Sequence, residues 1–369
     1  MLIPIFQPKI FTQFSIPTLL YIVMNVIDFL WLMKDRIAQG SLKLSKIIVI
    51  WIAFRCYLLL MMILNNSLGD ILQWGYQSLM VINLLLIFEY TKYSKLDIAM
   101  TITVLGIVLL AINFCTLLAF PRGIIRSNYY DVTDNDWYFL GIKTQFTTVM
   151  LPTISAALYC FNSNKEKKQF FLLMCAVFIC LANILNKNIS TAWVGMGLLI
   201  LLMLTSKLTQ IKFSYFLAIC MSLIICVLII CLNIQQTFSF IIVDLLGKDL
   251  TLSNRVYIWN TAKDVIFSSN IGQILFGHGQ VENFVTVGNS LWPSHNALLA
   301  SLYNAGVVGT IGFYYFLYKL GKNKRKNTTQ QCMLMIVFVL LIMTITENYF
   351  EIAVSFVPFL LLRYAGAEK

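Results

Sequence analysis

Apolar residues in this chain neither alternate nor keep to one helical stripe. They run in blocks of bilayer length separated by short polar clusters. A helix rising 1.5 Å per residue needs about 20 predominantly apolar residues to cross a hydrocarbon core. Such blocks lie near 16–33, 46–65, 71–91, 97–118, 138–161, 169–186, 190–206, 213–234, 296–320, 331–347 and 349–364. They predict an all-α, polytopic protein of about eleven (ten to twelve) transmembrane helices, one integral membrane domain over residues 1–369. The last two blocks are short. The first fifteen residues are apolar enough to lie at the membrane surface or enter it partly. They lack the basic leader and small-residue cleavage site of a clean signal peptide.

Two substantial loops interrupt the pattern on one side. One covers roughly 119–137; the other, 235–295, precedes the last three helices and contains short helical stretches. Within the longer loop, Ser253-Asn254 before RVYIWNTAKDVIF reads as a capped helix. At about 100° per residue, Arg255, Trp259, Ala262 and Ile266 share one face, with Tyr257, Asn260 and Asp264 opposite. Arg255 therefore points with the apolar stripe, and a charge held there needs an anionic partner or a route to water. The segment SHNALLASLYNAGVVGTIGFYYF opens a membrane helix, and Ala305, Gly306, Gly309 and Gly312 thin its surface for close helix packing.

Composition supports the membrane reading. The chain is 59% hydrophobic and 12% charged, with mean hydropathy +0.80, whereas soluble domains average about 25% charged residues. No polar stretch is long enough for a separate soluble domain. All nine cysteines fall inside apolar runs and none forms a CxxC pair. That pattern suits small core- or lipid-facing residues rather than a disulfide or zinc framework.

The net charge of +11 is an orientation signal rather than a nucleic-acid footprint. Alternate loops hold 18 basic and five acidic residues, from Lys34 and Arg36 to Arg363 and Lys369. The opposite side holds eight basic and ten acidic residues. The positive-inside rule places the first set in the cytoplasm and both large loops outside. Within the spans, Asp28 and Arg55 lie at similar depth and are expected to pair near the cytoplasmic side. An arginine at a span centre costs about 2.5–3.5 kcal/mol on insertion scales.

The chemistry-bearing residues collect on the outer side. His295 stands where the long loop enters a membrane helix. Imidazole is the side chain whose ordinary pKa lies near neutrality, and a helix start offers free N–H groups that suit phosphate. Its plainer reading is an interfacial histidine on a backbone carbonyl. His278, between Gly277 and Gly279, is a second candidate or a loop residue. Glu347 and Glu351 near the ends of the last spans are read as orienting His295, binding sugar hydroxyls, or simply marking the water boundary. Asp134-Asn135-Asp136, with Asp131, makes a DxD cluster that fits either a metal or an ordinary loop. With only His278 and His295 in the chain, a multi-histidine metal site is not available.

The order Asn254-Arg255, Trp259, Ala262, then Phe276-Gly277-His278-Gly279, then His295-Asn296, Leu299, Gly306 and Gly309 resembles the O-antigen ligase and Wzy-type polysaccharide polymerase superfamily. Phe139-Leu140-Gly141-Ile142-Lys143 with Pro152 is similar to that family's first half. The resemblance implies a GT-C-type membrane glycosyltransferase that needs no metal or other cofactor and acts at the outer face of the cytoplasmic membrane. Its donor would be an undecaprenyl-diphosphate-linked oligosaccharide, and its product a capsule, O-antigen or similar glycan. Flippase and chain-length-regulator proteins would be its neighbours in the bilayer. By the same resemblance His295 is the general base and Arg255 a diphosphate-binding cation. The family often carries a second arginine where this chain has Ser190 in Asn188-Ile189-Ser190-Thr191-Ala192-Trp193. Lys187, Lys143, Arg122 and Arg126 are the substitutes, with Asn296, His278 and Glu347 as further substrate-binding candidates. A ligase that moves finished glycan to another acceptor shares this site. A flippase for the same lipid predicts cations lining a path through the bilayer, and here Arg55 alone lies deep.

Overall fold

The structure of the chain, a computed structural model, describes residues 1–38, 44–125, 136–209, 214–245, 250–252, 254–323 and 327–366. Its helices are α1 (Ser15–Ala38), α2 (Lys46–Leu64), α3 (Ile71–Tyr90), α4 (Lys95–Ala119), α5 (Thr147–Asn164), α6 (Lys167–Lys187) and α7 (Ser190–Thr209). They continue with α8 (Tyr215–Leu232), α9 (Arg255–Ser268), α10 (Ile271–Phe276), α11 (Ala297–Gly321), α12 (Thr328–Met343) and α13 (Val357–Tyr364). The one sheet among the described residues is a hairpin, β1 (Val285–Val287) antiparallel to β2 (Ser290–Trp292), inside the long loop. Seven of the described helices are long and apolar enough to cross a membrane, and 190–206, 328–343 and 353–364 form shorter apolar stretches. Ile16, Leu72, Phe171 and Phe178 stand largely exposed on the outside of the bundle. Apolar surface of that extent needs lipid around it. The chain is an all-α polytopic membrane protein.

Local sequence sets many helix starts. Ser45 accepts from Ile48 N, Ser94 and Asp97 form a reciprocal capping box, and Asn327 accepts from Gln330 N. Buried amides tie helices together. Asn113 Nδ2 donates to Asn183 Oδ1 at 2.9 Å, and Asn113 Oδ1 accepts from Leu140 N at 2.9 Å. These bonds join α4, α6 and the loop before α5 where no water could serve instead.

Two apolar blocks depart from continuous helix. The block at 138–161 begins with irregular chain and a 3₁₀ turn, Lys143–Phe146, before α5. The block at 349–364 opens with two 3₁₀ turns, Tyr349–Glu351 and Ala353–Phe356, and only then enters the eight-residue α13 with proline in its first turn. Residues 344–356 thus form a polar turn-rich segment rather than two helix ends back to back. It lies at the end of the bundle where α11 begins, because Ala297 N donates to Thr344 O at 3.0 Å.

α11 is broken at Gly306, whose φ of 61° and ψ of −172° leave the helix. A Cβ there would meet Gly277 N and Leu275 O at 2.5 Å, so only glycine fits. Carbonyls around the break are taken up from outside: His278 N bonds Tyr303 O, Gly279 N bonds Asn304 O, and Tyr57 Oη bonds Ala305 O. Plain helix packing accounts for Gly309, where a Cβ would strike Tyr57, but not for Gly306 or for Gly312, which faces open space.

The expected Asp28–Arg55 pair does not form. Asp28 lies 3.7 Å from the amino group of Met1. Arg55 donates to Ser78 Oγ, Trp74 O and Gln280 Oε1. Gln280 belongs to the long loop, so Arg55 faces the same end of the bundle as His295. Sequence depth alone hid this, because the loop after α10 dips down to meet α2.

Candidate active site

His295 is positioned by the start of α11. Asn296 caps the helix by accepting from Leu299 N, and its side-chain amide donates to Ile345 O at 2.8 Å. Asn296 is fully buried, and its side chain is spent on this joint rather than on substrate. The helix start is spent as well: Ala297 N bonds Thr344 O and Leu299 N bonds Asn296. The expected phosphate cradle of free N–H groups is therefore largely closed. The bend this joint requires puts His295 at φ 49°, in the left-handed region that few side chains adopt.

The turn that receives α11 carries Glu347. His295 Nδ1 lies 3.1 Å from Glu347 Oε2, and Arg255 Nη2 holds the other carboxylate oxygen. Burial would raise the Glu347 pKa, but the His295 hydrogen bond and the Arg255 charge outweigh it and hold the carboxyl below its ordinary value. A carboxylate on Nδ1 fixes the imidazole tautomer with the proton there, leaving Nε2 with its lone pair. Of the readings open for Glu347, orientation of His295 is the one this geometry supports.

Arg255 sits where the amphipathic pattern placed it, on the buried face of α9 with Trp259, Ala262 and Ile266. The expected cap is absent: Asn254 adopts φ 66° with no side-chain cap bond, and Ser253 lies outside the described residues. The guanidinium bonds Glu347 through Nη2, Thr346 O through Nε at 2.9 Å and Leu252 O through Nη1 at 3.5 Å. All three nitrogens face protein acceptors, and Arg255 acts on the site through Glu347. The free diphosphate clamp expected of it is not what this geometry offers.

His295 and Glu347 open on a cavity of ≈ 150 Å³ that Lys9, Glu282, Tyr349 and Glu351 also line. Lys9 arrives on a 3₁₀ turn, Lys9–Gln13, and packs against Gly141, where a Cβ would lie 2.8 Å from that of Lys9. Burial pulls the Lys9 ammonium down, opposed by Glu351 and Glu282. Glu351 is pushed up to about 7 by burial and then by Glu282, against the pull of Lys9. Asn348 donates to its Oε1 at 2.6 Å. A second chamber of ≈ 80 Å³ adjoins the first across Glu282, Asn348 and Glu351, and Arg55 lines it.

Beside this polar site lies an apolar cavity of ≈ 460 Å³ between α5, α6 and α7, lined by Met150, Ile154, Leu181, Met196 and Met343. The wall between them is thin. Thr147 of the apolar cavity donates its hydroxyl to Tyr349 of the polar one at 2.9 Å.

The other candidates fall elsewhere. His278 stacks on Tyr303 at 4.1 Å, with Nδ1 on Tyr303 O and Nε2 on Ser269 Oγ. Nδ1 serves the α11 break and Nε2 the end of α9, so both ring nitrogens are engaged and His278 is structural. Lys187 donates to Pro121 O at 2.8 Å beside the Tyr138 ring, away from the cavity. Arg122 is exposed on the turn after α4. Lys143 begins a turn whose neighbours Ile142, Thr144 and Gln145 line the cavity while it does not. Arg126, Asp131, Asp134 and Asn135 lie outside the described residues; Asp136 is buried. Lys9 was missed although it left a signal. It is the only charged residue before Asp28, and an isolated cation in an apolar stretch is costly unless used.

No family model, curated protein or solved structure matches the chain.

Proposed function

We propose that the chain is a glycosyltransferase that joins lipid-diphosphate-linked oligosaccharide units, a polysaccharide polymerase working at the outer face of the cytoplasmic membrane. The observation that carries this is the relay Arg255–Glu347–His295 opening on a polar cavity that backs onto a lipid-sized apolar one. An acceptor hydroxyl in the cavity gives its proton to His295 Nε2 as its oxygen attacks the anomeric carbon. The bond from that carbon to the phosphate oxygen breaks, and the lipid diphosphate leaves with the electron pair. Glu347 stabilises the imidazolium, and Arg255 keeps Glu347 ionised and in place. A positioned base of this kind contributes about 10²–10⁴-fold.

The growing charge on the leaving group needs a cation. Lys9 lines the cavity and takes that role in place of Arg255, whose donors are engaged. The apolar cavity accommodates part of the prenyl tail. The charge asymmetry of the loops supports the outer placement.

The test is incubation of purified protein with lipid-diphosphate oligosaccharide and no added metal. A ladder of products that His295→Ala abolishes is expected. A single transfer to a foreign acceptor would instead favour the ligase, and an unchanged ladder from His295→Ala would remove the base from the mechanism.

A further inference from the structure

Arg55 and the chamber it lines have no part in the transfer step. The side chain is 7% exposed, in the middle of α2. Its Nε donates to Ser78 Oγ at 2.6 Å, and Nη2 donates to Trp74 O at 2.8 Å and Gln280 Oε1 at 2.6 Å. The indoles of Trp51 and Trp74 flank it, 5.5 and 5.7 Å from ring centroid to guanidinium. Every one of these partners is neutral. Among the described residues no carboxylate lies within ion-pair distance of Arg55, and Nη1 makes no hydrogen bond.

A guanidinium so far from water costs several kcal/mol when no counter-charge meets it. An arginine kept only to hold helices together would be expected to meet a carboxylate inside the fold. Here the cation is fixed rigidly by three neutral acceptors and two rings, with one edge unused at the wall of a cavity. That arrangement suits an anion brought from outside. The free Nη1 carries two N–H donors, and a charge-assisted hydrogen bond from it suits a carboxylate oxygen.

The rest of the wall matches sugar hydroxyls. Gln77, Gln280, Asn304 and Asn348 line it, and each amide both donates and accepts. Gln280 Nε2 donates to Gln77 Oε1 at 2.9 Å, which sets the orientation of the pair. Phe313 and Phe350 supply apolar faces. Arg55, Gln77 and Gln280 line only this chamber, while Glu282, Asn348 and Glu351 line both. The Arg55 end is therefore the one remote from His295. A glycan with its reacting sugar at His295 would place a neighbouring sugar beside Arg55.

We propose that the Arg55 chamber is a carbohydrate subsite that takes an acidic, carboxylate-bearing sugar of the glycan. The assignment to a glycan rests on the proposed function. The requirement for an anion stands on the unpaired guanidinium alone.

The experiment is equilibrium binding of two soluble trisaccharides to the purified full chain, one ending in glucuronic acid and one in glucose. The acidic trisaccharide is expected to bind about ten- to a hundredfold more tightly, the worth of a charge-assisted hydrogen bond or two. Gln280→Glu supplies the missing carboxylate at the Nη2 contact without changing side-chain size. It should erase the preference while leaving the melting temperature unchanged or raised. Arg55→Gln should erase it too, and Gln280→Glu keeps the test decisive if Arg55→Gln fails to fold. Equal affinity for the two sugars, or a preference that survives Gln280→Glu, overturns the proposal. Displacement of the acidic trisaccharide by equimolar inorganic phosphate would mark a phosphate site instead and overturn it as well. His295→Ala should keep the preference. Normal polymer from that variant would refute the transfer mechanism and leave this binding result standing.

Discussion

Glu347→Gln is the substitution that bears most directly on the proposed mechanism, because it keeps shape and removes one charge. In the wild type the two carboxylate oxygens accept from Arg255 and His295. Glutamine has a single acceptor oxygen. Arg255 carries only donors and has no alternative acceptor of comparable strength, so the amide oxygen turns to Arg255. The amide nitrogen then faces His295 Nδ1 as a donor. Nδ1 has to accept, the ring proton moves to Nε2, and the base is blocked by its own tautomer. A wrong-tautomer histidine together with a lost counter-charge predicts a fall of about 10²–10⁴-fold in turnover. Stability should fall less. The side chains of Arg255, Glu347 and His295 retain 17, 14 and 25% exposure, so solvent offsets part of the about 3–5 kcal/mol that breaking a fully buried pair costs.

The assay is the initial rate of polymer formation by purified protein, with folding followed by thermal melting. The tautomer argument makes a second demand. In Arg255→Met with Glu347→Gln, the amide oxygen is released to turn toward His295 Nδ1. The double variant should therefore be several-fold faster than Glu347→Gln alone. A Glu347→Gln rate within about threefold of wild type, or a double variant slower than the single, would refute the reasoning.

Other outcomes follow from the same geometry. Lys9→Met should lower turnover by about 10²–10³-fold with the melting temperature held or raised, since it removes a buried ammonium; a rate near wild type would return the leaving-group role to another cation. Glu351 has its pKa raised from 4.5 to about 7 in the folded protein, so the stability tied to its protonated form is present below 4.5 and is lost as pH rises through about 7. Relative to Glu351→Gln, the wild type should lose melting temperature between pH 5 and 8, and parallel profiles would contradict that. Gly306→Ala forces a Cβ against Leu275 O and Gly277 N at a positive φ, so it should destabilise by about 2–4 kcal/mol; an unchanged melt would mean α11 need not break there.

Much of the candidate site is legible in the order of residues. The periodicity of Arg255, Trp259, Ala262 and Ile266 placed the arginine on the buried face of its helix, because that face follows from 3.6 residues per turn alone. His295 stood out because a loop entering an apolar block is visible in one dimension. Orientation of His295 was one of three readings open for Glu347, and its bond to Arg255 was not visible. Its bonds span 52 residues to His295 and 92 to Arg255, while Glu351 in the same stretch accepts from Asn348 instead. Lys9 was passed over and Arg55 misplaced for a related reason. Lys9 precedes the first apolar block and reaches the cavity on a 3₁₀ turn; Arg55 was placed by its depth along a span, yet the long loop meets it through Gln280.

The chain's own order of residues thus determined that it lives in a bilayer, where most of its helices run, and which two side chains to suspect. Those properties depend on local pattern, length and charge balance, all of which sum over neighbours. The tertiary structure alone decided that Arg255 is neutralised by Glu347, that His278 bonds a helix break, and that Lys9 and Glu351 line the His295 cavity with Arg55 in the chamber beside it. Hydrogen bonds and cavities are made between segments far apart in the chain. Their partners are chosen by packing, and no periodicity records packing between distant segments.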